Sequence, residues 1–399
     1  MKRIITLGVI LLAVSACQSI KRTGQGTADM EIETQSPETG AFEQDASSAP
    51  GAPTSVTFEK SSQAFPPIPT WKIGLADLDG DNDLDAVFAN SLTNESQVLL
   101  NDGSGFFIDS GQQLGKYGHG VAIGDLDRDG DEDIVITTHE YQPTRVYLND
   151  GEANFNELDG AFEETIGHSV DLYDLDGDDD LDAVGEIGTG GTNIFLNDGN
   201  GLFSASDLTY PRTSIWGDLD SDGDVDVLIK EDRVGYSVYL NNGQGNFTPH
   251  WHMDDVKAMD IGDMALGDVD GDGDLDALVT NGFHQTNSYP GRVLLNDGSG
   301  WFEDSGQRLT AVTNAGVSLG DLDGDDDLDL VLTDYMEPCQ IWLNDGNGKF
   351  TDSGFRFGDD QFYRYAHLGD LDGDGDLDIF LSTFGMGEGP NEVWLNQRR

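Results

Sequence analysis

Basic residues are scarce in this chain. Its 399 residues hold 20 Lys plus Arg against 76 Asp plus Glu, a formal net charge of −56. A surface this acidic repels phosphate backbones and anionic headgroups, which excludes nucleic acid as a partner. Cysteine is nearly absent: Cys17 and Cys339 are the two present, so no disulfide framework is possible and Cys339 reads as an inert core thiol. No stretch repeats its apolar residues with a helical period, which excludes a helical bundle. The one long apolar run, from Ile4 to Ala16, is too short to cross a bilayer core of about 30 Å. What the chain has in quantity is aspartate and glycine, 52 of the latter, with a hydrophobic fraction of 37% that still allows a core.

The N-terminus reads as an address. Lys2 and Arg3 form a basic n-region, and Ile4 to Ala16 has the length of a signal-peptide h-region. The run ends in Val14-Ser15-Ala16-Cys17, which resembles the lipobox of bacterial lipoproteins. That resemblance implies removal of residues 1–16 and acylation of Cys17. Gln18 follows rather than Asp, which favours an outer membrane lipoprotein, facing the periplasm or the cell surface. The membrane is then reached through the lipid anchor alone. Residues 17–53 are Ser, Thr, Gly, Gln, Glu, Ala and Pro with almost no branched or aromatic side chains, a composition that cannot offset its ordering entropy and is expected to be a flexible tether.

The remainder, residues 54–396, is built on one repeated unit. The nonapeptide Asp-x-Asp-x-Asp-x-Asp-x-Asp begins at Asp77, Asp125, Asp174, Asp218, Asp268, Asp321 and Asp370, about 44–53 residues apart. In the second copy, Gly120 to Gly124 leads into the Asp stretch, and Ile134 to Thr138, Arg145 to Leu148 and Asn154 to Asn156 follow: four short β-type runs separated by turn residues. Asn-Asp-Gly after the third run marks a tight turn at Asn101, Asn149, Asn197, Asn296 and Asn344, with Asn241-Asn-Gly243 a variant. Four antiparallel strands per unit is the size of a propeller blade. The seventh unit stops at Leu395-Asn396 without a fourth strand, while Ser55 to Glu59 resembles a fourth strand with no unit of its own. An all-β, seven-bladed β-propeller of four-stranded antiparallel blades is therefore expected, its N-terminal strand completing the last blade.

The unit resembles the FG-GAP or VCBS-type repeat of integrin α-subunit propellers and bacterial secreted proteins, over about residues 54–396. Seven copies in phase make the resemblance specific for fold; fold leaves function open.

Side chains at loop positions 1, 3 and 5 converge as the chain turns, position 7 offers a carbonyl, and position 9 adds a carboxylate. This all-oxygen set suits Ca²⁺ better than Zn²⁺ or copper. Position 6 is Asn82, Gly130, Asp179, Gly223, Gly273, Asp326 or Gly375, residue types that tolerate positive φ. Position 2, Leu in six copies and Val269 in the other, is expected to be a buried wedge. Position 12 is apolar or Gly185 where an EF-hand needs Glu. The integrin-type loop carries its ligand roles over at positions 1, 3, 5 and 9, which leaves the role of the position-7 carboxylate open. The candidate metal residues are Asp77, Asp79, Asp81, Asp83 and Asp85 in the first unit, then Asp125, Asp127, Asp129, Asp131 and Asp133. The third and fourth units offer Asp174, Asp176, Asp178, Asp180, Asp182, Asp218, Asp220, Asp222, Asp224 and Asp226. The last three offer Asp268, Asp270, Asp272, Asp274, Asp276, Asp321, Asp323, Asp325, Asp327, Asp329, Asp370, Asp372, Asp374, Asp376 and Asp378. Two carboxylates about 4 Å apart repel by about 4 kcal/mol at an effective dielectric of 20. About seven Ca²⁺ ions are therefore expected, bringing the formal charge from −56 to about −42.

The Asp loops share one face with the Asn-Asp-Gly turns, and the opposite face is where the repeats differ, so partner binding is expected there. Six residues before each first Asp stand Trp71, His119, His168, Arg212, Gly262, Ala315 and Arg364, expected to ring the channel mouth. A long connection from His250, with Trp251 and His252, and another from Asn281 to Gly291, with His284 and Tyr289, are expected to form a raised patch. No Ser-His-Asp motif, phosphate-binding loop or Cys/His zinc cluster emerges. The sequence thus predicts a monomeric, non-catalytic adhesion or binding module for protein or glycan. The alternatives are a polysaccharide lyase using Tyr117, His119, His168, Arg212, Tyr363 and Arg364 on uronate polymers, or an envelope-assembly scaffold.

Overall fold

The computed structural model describes residues 55–91, 94–138, 142–162, 166–187, 191–211, 213–231, 234–254, 262–280, 290–309, 316–334, 337–358, 363–383 and 389–398. The expected signal segment, lipidated Cys17 and tether lie outside these residues, as do Arg212, Ala315, His284 and Tyr289.

Strand-forming residues fall where the repeat puts them, in seven four-stranded antiparallel sheets. Blades 1 to 6 span 70–116, 118–157, 166–211, 213–254, 264–308 and 317–357, each running from the inner to the outer strand in chain order. Blade 7 takes three strands from 363–396 and its outer strand from Phe58–Lys60. The register pairs Phe58 with Asn396 and Lys60 with Trp394. Around this seam the Gln397 N–H donates to the Thr57 carbonyl at 2.7 Å, and Lys60 Nζ meets Glu392 Oε1 at 2.5 Å. The N-terminal strand therefore closes the circle, as its homeless sequence required. Among the described residues no helix is long and apolar enough to cross a membrane.

The second strand of each blade is apolar on both faces because it lies between two neighbouring sheets: Ile134, Val135 and Ile136 are all essentially buried. The core accordingly divides into seven clusters, one per blade interface. Val87, Val98 and Ala89 of blade 1 pack on Val121, Ile123 and Ile134 of blade 2. Phe65, Phe88 and Phe107 pack on Phe380 and Val393 at the seam between blades 7 and 1. The position-2 wedges are buried in all seven loops, from Leu78 to Leu371.

Candidate metal centres

Each Asp loop links the inner strand of a blade to the next strand, and its backbone geometry repeats seven times. Position 6 has φ between 69° and 98°, as at Asp179 and Gly273. Position 4 also has positive φ in every copy, even where it is Arg128 (65°) or Ser221 (61°). Five of the seven position-4 residues are glycine, which is the sequence signal for this conformation. With the chain so folded, the position-1 carboxylate accepts the N–H of position 6 (Asn82 to Asp77, 3.0 Å), and the position-5 carboxylate accepts that of position 7 (Asp83 to Asp81, 3.0 Å).

Position 9 is the buried anchor. In blade 1, Asp85 Oδ2 accepts the Leu78 N–H at 3.0 Å and Oδ1 accepts the Asn101 N–H at 2.8 Å, tying the loop to the turn between the third and fourth strands. The same pair of bonds is made in all seven blades. Burial, only partly opposed by these two bonds, pushes the Asp85, Asp133, Asp182, Asp276, Asp329 and Asp378 carboxyls up to about 7 and that of Asp226 to about 6. Asp220, at position 3, is also raised, by burial first and by Asp222 and Asp218 next.

In blades 1 to 5 a carboxylate oxygen from positions 1, 3 and 9 lies within 4.8 Å of the other two: Asp77, Asp79 and Asp85 in the first, Asp268, Asp270 and Asp276 in the fifth. The position-3 Oδ1 atoms of Asp176, Asp220 and Asp270, and of Asp372 in blade 7, are buried without a hydrogen-bond donor. Convergent, all-oxygen and short of donors, this geometry fits a hard divalent cation.

Position 7 behaves otherwise. Its carboxylate turns toward the turn glycine of its own blade, where Gly103, Gly151, Gly199, Gly243, Gly298 and Gly346 leave no room for a Cβ. Its partners include Arg128 of the preceding blade at Asp180, Ser221 Oγ at 3.1 Å from Asp274, and Arg398 at 2.7 Å from Asp376. Arg398 stands where the other turns have glycine.

The Asn of the turn has a second role the sequence did not disclose. Asn149 Nδ2 donates to the Leu78 carbonyl of the preceding blade at 2.9 Å, and the equivalent bond recurs at all seven interfaces. Each loop is therefore held by its neighbour.

At the other end of the inner strands, four of the seven channel-mouth residues meet. The Arg364 guanidinium lies 4.8 Å from the Trp71 ring, Trp71 stacks on His119 at 3.8 Å, and His119 meets His168 edge-on at 4.4 Å. The stack crosses blades 7, 1, 2 and 3. Beneath it Lys72 Nζ reaches Asp171 Oδ1 at 3.3 Å, and His367 Nε2 accepts the Ile73 N–H at 3.3 Å. Burial, reinforced by Lys72, lowers His367 to about 3.

The expected raised patch is corrected in part. Residues Thr248–Asp254 form the outer strand of blade 4 rather than a connection. Trp251 is 9% exposed and packs on Phe302, so it serves the interface between blades 4 and 5. His252 is exposed, bonded to Ser237 Oγ at 2.9 Å and Asp254 Oδ1 at 3.1 Å.

A seven-bladed propeller with an aspartate loop in every blade is thus the class that fold and site define. A model of the FG-GAP-like repeat matches residues 77–136, 125–185, 218–279 and 321–381, more than half of the chain, and the protein belongs to that family. No curated protein matches it. Among solved structures it is similar to a chain in the crystal structure of BBS1N in complex with ARL6DN soaked with mercury, with TM-score 0.57 and 12% identity over 87% of this chain and 98% of that one. The lead-soaked counterpart gives 0.57 and 10% over 86% and 97%. The Vibrio cholerae biofilm matrix protein Bap1 gives 0.47 and 10% over 86% and 91%. At these identities the likeness concerns fold alone.

Proposed function

We propose that this protein is a calcium-stabilised propeller lipoprotein that acts, as a monomer, as a non-catalytic binding or adhesion module for protein or glycan. It is held at the outer membrane through Cys17 and engages its partner with the face opposite the Asp loops. The observation that carries this reading is the contrast between the two faces. The loop face repeats the same hydrogen bonds in every blade and is spent on holding cations and neighbouring blades together. The opposite mouth carries the Arg364–Trp71–His119–His168 stack, which occurs once. Calcium is favoured over magnesium because a loop of carboxylates and carbonyls supplies more oxygens than a rigid octahedron takes.

The lyase reading draws less support. Of its proposed cluster, Tyr363 is 1% exposed and His119 6%, out of reach of a polymer, and Arg212 lies outside the described residues. A glycan array and a pull-down from envelope extract, each with calcium and with EDTA, test the binding reading. Partner capture that needs calcium and is lost on Arg364→Ala supports it. Capture unaffected by that change, or release of unsaturated products from uronate polymers, overturns it.

A further inference from the structure

Position 4 of each Asp loop lies against the next blade. A Cβ on Gly80, Gly177, Gly271 or Gly373 would lie within 4 Å of the carbonyl of Gly151, Gly243, Gly346 or Gly103, the turn glycine of the following blade. Two interfaces depart from this pattern by placing a guanidinium there. Arg128, at position 4 of the second loop, crosses to the third, where Nε pairs with the position-7 carboxylate of Asp180 and Nη2 donates to the backbone oxygen of Asp178. Between blades 6 and 7 position 4 is Gly324, and the charge comes from the other side. Arg398 fills the space that a side chain on Gly324 would take and meets Asp376, position 7 of the seventh loop, at 2.7 Å. Arginines from two different positions of the repeat thus reach equivalent places. Neither dismantles the loop it touches: Asp174, Asp176 and Asp182 still converge within 4.8 Å, and Asp372 Oδ1 is still buried without a donor.

We propose that Arg128 and Arg398 act as built-in counterions that make the third and seventh loops the weakest calcium sites of the ring, an inference that rests on the calcium reading above. The affinity of an oxygen site for Ca²⁺ follows the charge its ligands present. A guanidinium held against the position-7 carboxylate cancels one unit of that charge and repels the incoming dication. In the calcium-free loop the same guanidinium offsets part of the repulsion among the aspartates. The two effects have opposite sign: these loops need calcium less and hold it less tightly. At the other interfaces position 4 and the turn supply only glycine or, at Ser221, a neutral hydroxyl, so nothing there cancels the charge in the same way. Calcium therefore loads the ring in order, with the third and seventh loops last.

The test titrates Ca²⁺ into the calcium-stripped, full-length protein in detergent, reading calorimetry and competition with a chelator of known affinity. Two sites are expected to bind about tenfold more weakly than the rest, the effect of one unit charge a few ångströms from a divalent ion in a water-like medium. Arg128→Gln removes the charge and should move one of them into the tight class, while Arg128→Lys should leave it weak. Arg128→Gln combined with Arg398→Gln should give a single class. Arg356→Ala, whose ion pair with Asp352 lies on an outer strand, should change no site. In EDTA, Arg128→Gln should lower the melting temperature, and saturating calcium should abolish that difference. Equal sites in the unaltered protein, or a weak class untouched by Arg128→Gln, overturns the proposal and leaves calcium binding standing. No uptake at any loop overturns the calcium reading and this inference together.

Discussion

Asn101 Nδ2 donates to the carbonyl oxygen of Leu371 at 2.8 Å, across 270 residues of chain, and this bond joins the first blade to the last. The acceptor is the position-2 carbonyl of an Asp loop, so ring closure and loop shape are coupled. With Phe58 inside the interface of blades 6 and 7, the seam is sealed from both ends of the chain.

Removing one turn asparagine tests that coupling. Asn149 Nδ2 bonds Leu78 O at 2.9 Å and Glu132 O at 3.1 Å while its side chain is almost fully buried. Asn149→Ala removes both bonds, leaving Leu78 O with the Ala153 N–H at 3.1 Å, and is expected to cost about 1–3 kcal/mol in denaturant unfolding with calcium present. A change below about 0.5 kcal/mol would show that the interface carries the ring without it.

The seam strand can be loosened directly. Phe58 is 5% exposed and contacts Phe355 at 5.8 Å between ring centres. Phe58→Ala is expected to destabilise by about 3–5 kcal/mol and to speed proteolysis near residue 60. Unchanged protease resistance would mean that blade 7 holds with three strands.

The pH dependence should invert with calcium. Without cations, the position-9 carboxyls, raised to about 7, hold more protons folded than unfolded between roughly pH 4 and 7, so stability falls as pH rises through that window. A bound cation keeps them ionised, protons then compete with it, and stability falls as pH drops. Melting temperatures in EDTA should therefore decline from about pH 5 to pH 8, and in millimolar calcium should rise. Two parallel curves would count against cation occupancy. In either series, EDTA at neutral pH should give the lower melting temperature.

Glu132 is the odd residue at position 8, which is Leu or Val in the other six loops. Its Oε2 is buried without a donor, and burial, then Asp125 and Asp77, push its carboxyl up to about 7. Glu132→Gln should stabilise the EDTA-treated protein by about 1–2 kcal/mol at pH 8, and the gain should fade as acid protonates the wild-type side chain. An equal gain at low pH would point to packing rather than charge.

Several features could be read before any coordinates. The count of Asp loops set the number of blades, and the residue types at position 6 announced its positive φ. The missing fourth strand of the last unit, matched by the spare strand at Ser55, announced the closure. Position 4 was equally legible, yet Arg128 and Ser221 hid its glycine preference. Trp251 was misplaced because its outer strand, with His250 and His252 exposed on either side, lacks the continuous apolar run of a central one.

What the chain determined by itself is everything governed by local geometry: strand period, turn type, the convergence of alternate aspartates within nine residues. Those depend on backbone dihedrals and on side-chain reach within one unit. Contacts between units belong to the tertiary structure. The engagement of position-7 carboxylates, the asparagine bonds from blade to blade, and the stack of Arg364 on Trp71, His119 and His168 arise only when twisted sheets are set around a common axis. That placement brings together residues 48 or 49 positions apart in sequence, or at opposite ends of it, and no local preference encodes which of them will touch.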